Sequence, residues 1–129
     1  MQLLKIVSLS LTLVTSAAAA QEALKEHSVS GPAAQEIRAG WFGKLNPDCS
    51  FGPLPQAHLV NLAAHGTVKL RKAKIRTNNV RQCPNAELPA WVVFYQAKPG
   101  YSGTDSFTLE VTGESGVPSR HKFNVNVEG

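Results

Sequence analysis

Two stretches near the C-terminus alternate so strictly that they leave the chain one kind of fold. Phe107, Leu109 and Val111 point one way and Ser106, Thr108 and Glu110 the other; Phe123, Val125 and Val127 repeat this against Lys122, Asn124 and Asn126. A period of two over β-branched and aromatic residues specifies strands with one dry face and one wet face. Just upstream, Trp91–Ala97 is apolar on both faces, Trp91, Val93 and Tyr95 against Val92 and Phe94. That pattern predicts a strand in the middle of a sheet or beneath a covering segment. No stretch after residue 20 carries a convincing period of 3.6, and Gly/Pro-rich turns separate the strand candidates. The fold class expected is an all-β sandwich.

The first 20 residues read differently. Lys5 precedes an apolar run, Ile6–Val14, broken only by Ser8, Ser10 and Thr12, and Ser16–Ala20 supplies small residues. This is the pattern of a secretory signal peptide spanning residues 1–20, with cleavage after Ala20. The run falls short of the ~20 apolar residues that span a bilayer, so no membrane span is expected once it is cleaved. The expected location is the periplasm or the extracellular space. Residues 21–35 contain Ser28, Ser30, Gly31 and Pro32, show no sustained period and predict a flexible segment with one helical turn around Glu22–Glu26. Residues 36–129 then form one small domain.

Within that domain Ile37, Ala39, Trp41 and Leu45 predict a first strand, with Gly40 and Gly43 marking a bulge or bend. Asn46–Pro55 is turn chemistry, and Ala57–Ala63 is the next strand candidate. Val68 and Leu70 share a face, but the apolar pair that follows, Ala73 and Ile75, is one residue out of step. A one-residue slip reverses every side chain, which predicts a bulge or break near Arg71–Lys72. Arg81–Pro89 reads as irregular chain.

The two cysteines, Cys49 and Cys83, both follow the leader, and neither has a second Cys or His at ligand spacing. An exported domain this small predicts a disulfide between them; free thiols or half of a metal site are the competing readings. Charge is uneven. The formal net charge is +4, and Cys49–Ala86 contains no Asp or Glu but carries Lys69, Arg71, Lys72, Lys74, Arg76 and Arg81. Lys69, Arg71, Lys72, Lys74 and Arg76 are the candidate site for an anionic ligand (anionic polysaccharide, lipid headgroups or an acidic envelope protein), and Lys72, Lys74 and Arg76 share a strand face. Exposed lysines on an edge strand also guard against sheet-to-sheet aggregation.

The run Tyr95-Gln-Ala-Lys-Pro-Gly-Tyr-Ser-Gly-Thr-Asp-Ser-Phe-Thr-Leu-Glu-Val-Thr resembles bacterial cadherin-like and immunoglobulin-like extracellular domains, and His65-Gly66-Thr67-Val68 resembles the turn and strand that precede it there. The resemblance covers about half of the chain after the leader. It implies an immunoglobulin-like β-sandwich, and such domains serve as stalks, adhesins and binding modules. The residues of the motif also have their own physical logic. Pro99-Gly100 reverses the chain, Gly103 suits a positive φ, and the Asp105 carboxylate accepts hydrogen bonds from loop amides and pins the strand entry. Tyr101 and Phe107 then enter the core. The acid-rich loops of calcium-binding cadherins are missing, and one copy stands where tandem arrays are usual.

Catalytic chemistry finds no motif. No Gly-x-Ser-x-Gly elbow, His-Glu-x-x-His or phosphate loop occurs, and His27, His58, His65 and His121 lie far apart without ligand spacing. No cofactor, metal or nucleic-acid partner is expected. The expected role is non-enzymatic binding or adhesion through loops or a sheet face. The runner-up is a small inhibitor or accessory protein of an envelope enzyme, acting through the Pro-rich loop Phe51–Gln56.

Overall fold

The computed structural model describes residue 10, residues 12–13 and residues 24–129; the cleavage point expected after Ala20 and nearly all of the expected leader lie outside these. Among the described residues the chain has strands and no helix: β1 (Leu24–Pro32), β2 (Ile37–Phe42), β3 (Gln56–Asn61), β4 (Gly66–Thr77), β5 (Ala86–Ala97), β6 (Gly103–Thr112) and β7 (Pro118–Glu128). They form a four-stranded sheet in the order β1-β7-β6-β3 and a three-stranded sheet in the order β2-β5-β4. β1 runs parallel to β7, and every other pairing is antiparallel.

From Leu24 on, β1 corrects the reading of residues 21–35 as a flexible segment with a helical turn around Glu22–Glu26; residues 21–23 lie outside the described residues. Leu24–Pro32 pairs with Arg120–Glu128 along its whole length. Its inward positions are His27, Val29 and Gly31, so one hydrophobe alternates among small and polar residues; the ladder to β7, not an apolar period, makes it a strand. Likewise the strand before Trp91 begins at Ala86, not after Pro89. β5 has passed the end of β2 there, whose last pairing is Phe42 with Trp91, and a proline is tolerated beside an open ladder.

The main core lies between the sheets. Val93, Tyr95 and Ala97 of β5 and Ile37 of β2 meet Phe107, Leu109, Phe123, Val125 and Val127 of the larger sheet. Phe107 and Phe123 stack across strands with centroids 4.9 Å apart. β5 is the central strand of its sheet, and both its faces are apolar because each is covered by a different cluster. Its other face serves a second cluster, in which Leu88, Ala90 and Val92 are buried with Ile75 against Trp41, Leu45 and Phe94.

This second cluster resolves the parity switch in β4. The β4–β5 ladder runs from Gly66↔Ala97 to Thr77↔Ala86 with no register shift, so the bulge expected near Arg71–Lys72 is absent. The strand stays regular, and the buried side changes instead. Val68 and Leu70 face the main core, whereas Ile75 faces the outer cluster beneath Leu45 and the β2–β3 connection. A bulge does occur in β2, between Arg38 and Gly40, and it sends Trp41 to the outer cluster and Phe42 inward.

The β2–β3 connection folds back as a small hairpin closed by Gly52 N–H to the Lys44 carbonyl (2.9 Å) and Asn46 N–H to the Ser50 carbonyl (2.7 Å). Asp48 caps it through the Ser50 hydroxyl (2.5 Å) and amide (3.1 Å). Near its tip, Cys49 adopts φ 69°, a left-handed conformation that a non-glycine residue holds only when surrounding structure imposes it. The turn supplies that conformation, with Cys49 N–H donating to the Asn46 carbonyl at 2.9 Å, and a disulfide joins Cys49 to Cys83 in the β4–β5 connection.

At the opposite end a buried carboxylate joins the sheets. Asp105 Oδ2 accepts from the Tyr95 hydroxyl (2.7 Å) and the His65 amide (2.9 Å), and Oδ1 from the Ser106 (2.8 Å) and Ala64 (3.1 Å) amides. Two of the amides thus come from the β3–β4 connection, 40 residues and more away, not from its own turn. Gly66 lets that connection approach: a Cβ there would lie 2.6 Å from the Tyr95 ring and the Gln96 carbonyl. The turn from β5 to β6 uses Gly100 (φ 82°) and Gly103 (φ 123°). Tyr101 stays half-buried, donating to the Thr104 carbonyl and stacking on His65 at 4.2 Å, while Phe107 is fully buried.

Burial pushes the Asp105 carboxyl up, but the bonds from Tyr95, His65, Ser106 and Ala64 outweigh it and hold the group below the usual carboxylate range. The unfolded chain therefore takes up the proton first, at about pH 3.9. The carboxylate's stabilisation is complete above that value and is lost as pH falls through the folded-state value. Tyr95→Phe removes one bond to a charged group and is expected to cost roughly 1.5–3 kcal/mol. Urea unfolding is expected to show this loss at neutral pH and a smaller one near pH 3. Reducing the disulfide is expected to cost about 3–4 kcal/mol by the chain-entropy estimate for a loop of this size, read as a lower melting midpoint.

Candidate functional site

The connections β2–β3, β4–β5 and β6–β7 gather at one end of the two sheets. Between the first and last of them lies a hollow of about 310 Å³. Its walls include Phe42, Pro53, Pro55, Val111 and Val117; Lys44 and Glu114 provide opposite charges, and Ser119 and His121 add polar groups. The shape follows from local sequence. Pro53 and Pro55 keep the return from the hairpin extended and without amide donors, and the Trp91 indole N–H holds that return by donating to the Pro55 carbonyl at 2.9 Å. Gly116 (φ 74°) lets the β6–β7 turn close. Phe51, 60% exposed, sits on the disulfide-anchored hairpin, and Val117 is also largely exposed.

A chain of hydrogen bonds runs inward from the hollow. The Ser119 hydroxyl donates to the Val111 carbonyl (3.2 Å), His121 Nε2 lies 3.1 Å from Ser119 Oγ, and His121 Nδ1 lies 2.9 Å from His27 Nε2. The carbonyl can only accept, so with His121 neutral all three bonds form together in one sense. His27 Nε2–H donates to His121, His121 Nε2–H donates to Ser119, and Ser119 donates to Val111. The two imidazoles are nearly coplanar (12°), His27 stacks on Phe123, and Phe42 meets His121 edge-on. His121 is 7% exposed. Burial, then the positive charges of His27 and Lys25, holds its ring below the ordinary histidine range.

The pair was not legible in the sequence. His27 and His121 are 94 positions apart, and the parallel β1–β7 ladder brings them together. Two imidazoles do not make a metal centre: among the described residues no group of three or more His, Cys, Asp or Glu is placed to hold an ion.

The cationic residues of β4 divide between two faces. Lys69 and Arg71 lie opposite Phe94 and Val92 on the outer face, whereas Lys72, Lys74 and Arg76 lie opposite Trp91, Pro89 and Glu87 on the other. Arg71 makes a forked bond to Glu36 (2.7 and 3.0 Å) and lies 4.8 Å from the Phe94 ring centroid; Arg76 meets Glu87 at 3.4 Å. Among the described residues Lys69, Lys72 and Lys74 have no acidic partner. The five-residue anionic site expected from composition is therefore not one surface. The turn residues Pro99, Gly100, Tyr101, Gly103 and Asp105 occupy the far end, away from the hollow.

Comparison with protein-family models, with curated proteins and with solved structures returned no match.

Because His121 titrates lower in the folded chain than in the unfolded one, the unfolded chain takes up its proton first as pH falls below about 6.5. The contribution to stability is complete above that value and is lost as pH drops through the folded-state value. The melting midpoint of the wild-type chain is expected to fall between about pH 7 and pH 5. His121→Gln, which keeps a hydrogen-bonding group that does not titrate, is expected to flatten that part of the profile.

Proposed function

We propose that this chain is an exported, immunoglobulin-like recognition module that binds a partner at its loop end and catalyses no reaction. Lettering the strands A to G turns the two sheets into A-G-F-C and B-E-D, the two-layer arrangement of immunoglobulin domains with the first strand moved beside the last. The disulfide departs from the antibody pattern, since it links the B–C and D–E loops and not the two sheets. A disulfide fits an oxidising compartment, and no helix among the described residues is long and apolar enough to cross a membrane.

The observation that carries the reading is the loop end itself: a hollow of about 310 Å³ whose wall continues into a hairpin anchored by the disulfide. Loops held rigid before binding lose less conformational entropy on contact, and an exposed aromatic on such a loop is the usual anchor of an interface. Ser119 and His121 sit at hydrogen-bond distance, but the sense of the chain makes Ser119 the acceptor from His121. A general base would have to take the serine proton instead.

A second reading is favoured by Phe51, exposed on the capped hairpin just before the Pro-rich segment to Gln56: an inhibitor that inserts this loop into an envelope enzyme. The oxidised protein, immobilised and offered an envelope extract, is expected to retain material that Phe51→Ala/Val117→Asp does not. Lys72→Glu/Lys74→Glu is expected to retain it unchanged. Recovery of one enzyme in stoichiometric amount selects the inhibitor reading. Equal retention by the loop-end variant overturns both, as does ester hydrolysis by wild type that Ser119→Ala lacks.

A further inference from the structure

We propose that the outer face of the four-stranded sheet is a second binding surface, one that takes an uncharged glycan chain. The ladders set two rows across three strands: Ser28 beside Asn124 beside Ser106, and Ser30 beside Asn126 beside Thr104. All six side chains point away from the core, and none is charged, although charged residues make up 17% of the sequence. The wet face of a strand needs only polarity. Charged residues serve that purpose elsewhere on this same face, where Glu26, Lys122, Glu110 and Arg120 occupy the neighbouring rows.

The surface is a shallow, open depression. These six residues line a hollow of about 500 Å³ that also reaches His65 and Asp105. Asp105 is the one acid in that lining, and both its oxygens are engaged by four donors, so it presents little free charge to a ligand. At the border the exposed His65 ring stacks on Tyr101 at 4.2 Å, and its amide bond to Asp105 holds the backbone in place. The two-ring stack offers a flat π-face beside the hydrogen-bonding rows. A second hollow of about 460 Å³ shares Ser106 and continues past Thr108 towards Asn61, but Arg120 and Lys122 line it, so the uncharged surface ends at Ser106.

The chemistry selects the ligand. Hydroxyls and primary amides each donate and accept. Six of them, spaced about 4.8 Å across strands and about 7 Å along them, match a ligand that offers both roles at every point and carries no charge. An anionic polymer would seek a run of cations; the six-residue rows hold none, the exposed lysines of β4 belong to the other sheet, and Arg120 and Lys122 lie beyond the rows with Glu110 and Glu26 beside them in the ladders. An extended peptide would seek an open strand edge, not a sheet face. A chain of sugar rings meets the hydroxyl–amide rows with its hydroxyls and the His65–Tyr101 stack with its C–H face.

The test is titration of isotope-labelled, oxidised protein with three neutral hexasaccharides: a β-1,3-glucan, a β-1,4-N-acetylglucosamine chain and an α-1,4-glucan. At least one is expected to shift the amide and side-chain resonances of Asn124, Asn126 and Ser106. The affinity is expected to be unchanged between about 0.05 M and 0.5 M salt, because no ion pair forms. Asn124→Ala/Asn126→Ala, both outward-facing, is expected to weaken that binding at least tenfold with an unaltered backbone spectrum, and His65→Ala to weaken it independently. Phe51→Ala/Val117→Asp, the loop-end variant, is expected to bind as wild type, which separates this surface from the loop end. No shift with any of the three at about 10 mM overturns the proposal. So do shifts confined to β4, salt-sensitive retention of a sulfated polymer that Lys72→Glu/Lys74→Glu abolishes, and full binding by the double-asparagine variant.

Discussion

One carboxylate joins more of this molecule than any other single group. Asp105 stands at the start of β6 in the larger sheet, receives the Tyr95 hydroxyl from the central strand of the smaller one, and gathers the amides of the β3–β4 connection. Burying a charge is costly unless it is hydrogen-bonded, and here four donors meet its two oxygens. The arrangement sets the spacing of the sheets at the end away from the hollow and dictates a glycine at position 66. It also holds the backbone of His65 where its ring stacks on Tyr101. The stacked Phe107 and Phe123 take their register from the β6–β7 ladder, in which they face each other.

At the other end the smaller sheet uses both its faces. β4 and β5 begin or end in an outer cluster around Leu88 and Ile75 and cross to the main core around Val93 and Leu70 without a break in their ladder. Leu45 and the disulfide-tied hairpin accompany the outer cluster, while the opposite face is left to Lys72, Lys74 and Arg76. The disulfide therefore supports more than a loop. It secures the connection that packs over the second cluster, and that same connection supplies the wall of the hollow.

The His27–His121 pair shows how the fold brings ionisable groups beneath the loop end. Parallel pairing of the first and last strands sets the two rings edge to edge among Phe42 and Phe123, and the hydrogen-bond chain continues to the hollow through Ser119. The hydrogen-bond chain thus connects the N-terminal strand to the wall of the hollow.

Alternation in Phe107–Val111 and Phe123–Val127, and the two-faced apolar run Trp91–Ala97, determined the strands, the wet and dry faces and the central place of β5, because those properties follow from a local period of two. Lone cysteines in a small all-β chain pointed to one bridge. Tertiary structure alone decided the rest. Leu24–Pro32 is a strand because β7 offers it a ladder, and β4 keeps its register because a distant hairpin covers its other face. Pairings between residues 94 apart, or between Asp105 and amides 40 apart, leave no periodic trace, since nothing local depends on them. The loop-end hollow and the uncharged rows belong to that second kind: they exist only once separate strands lie side by side.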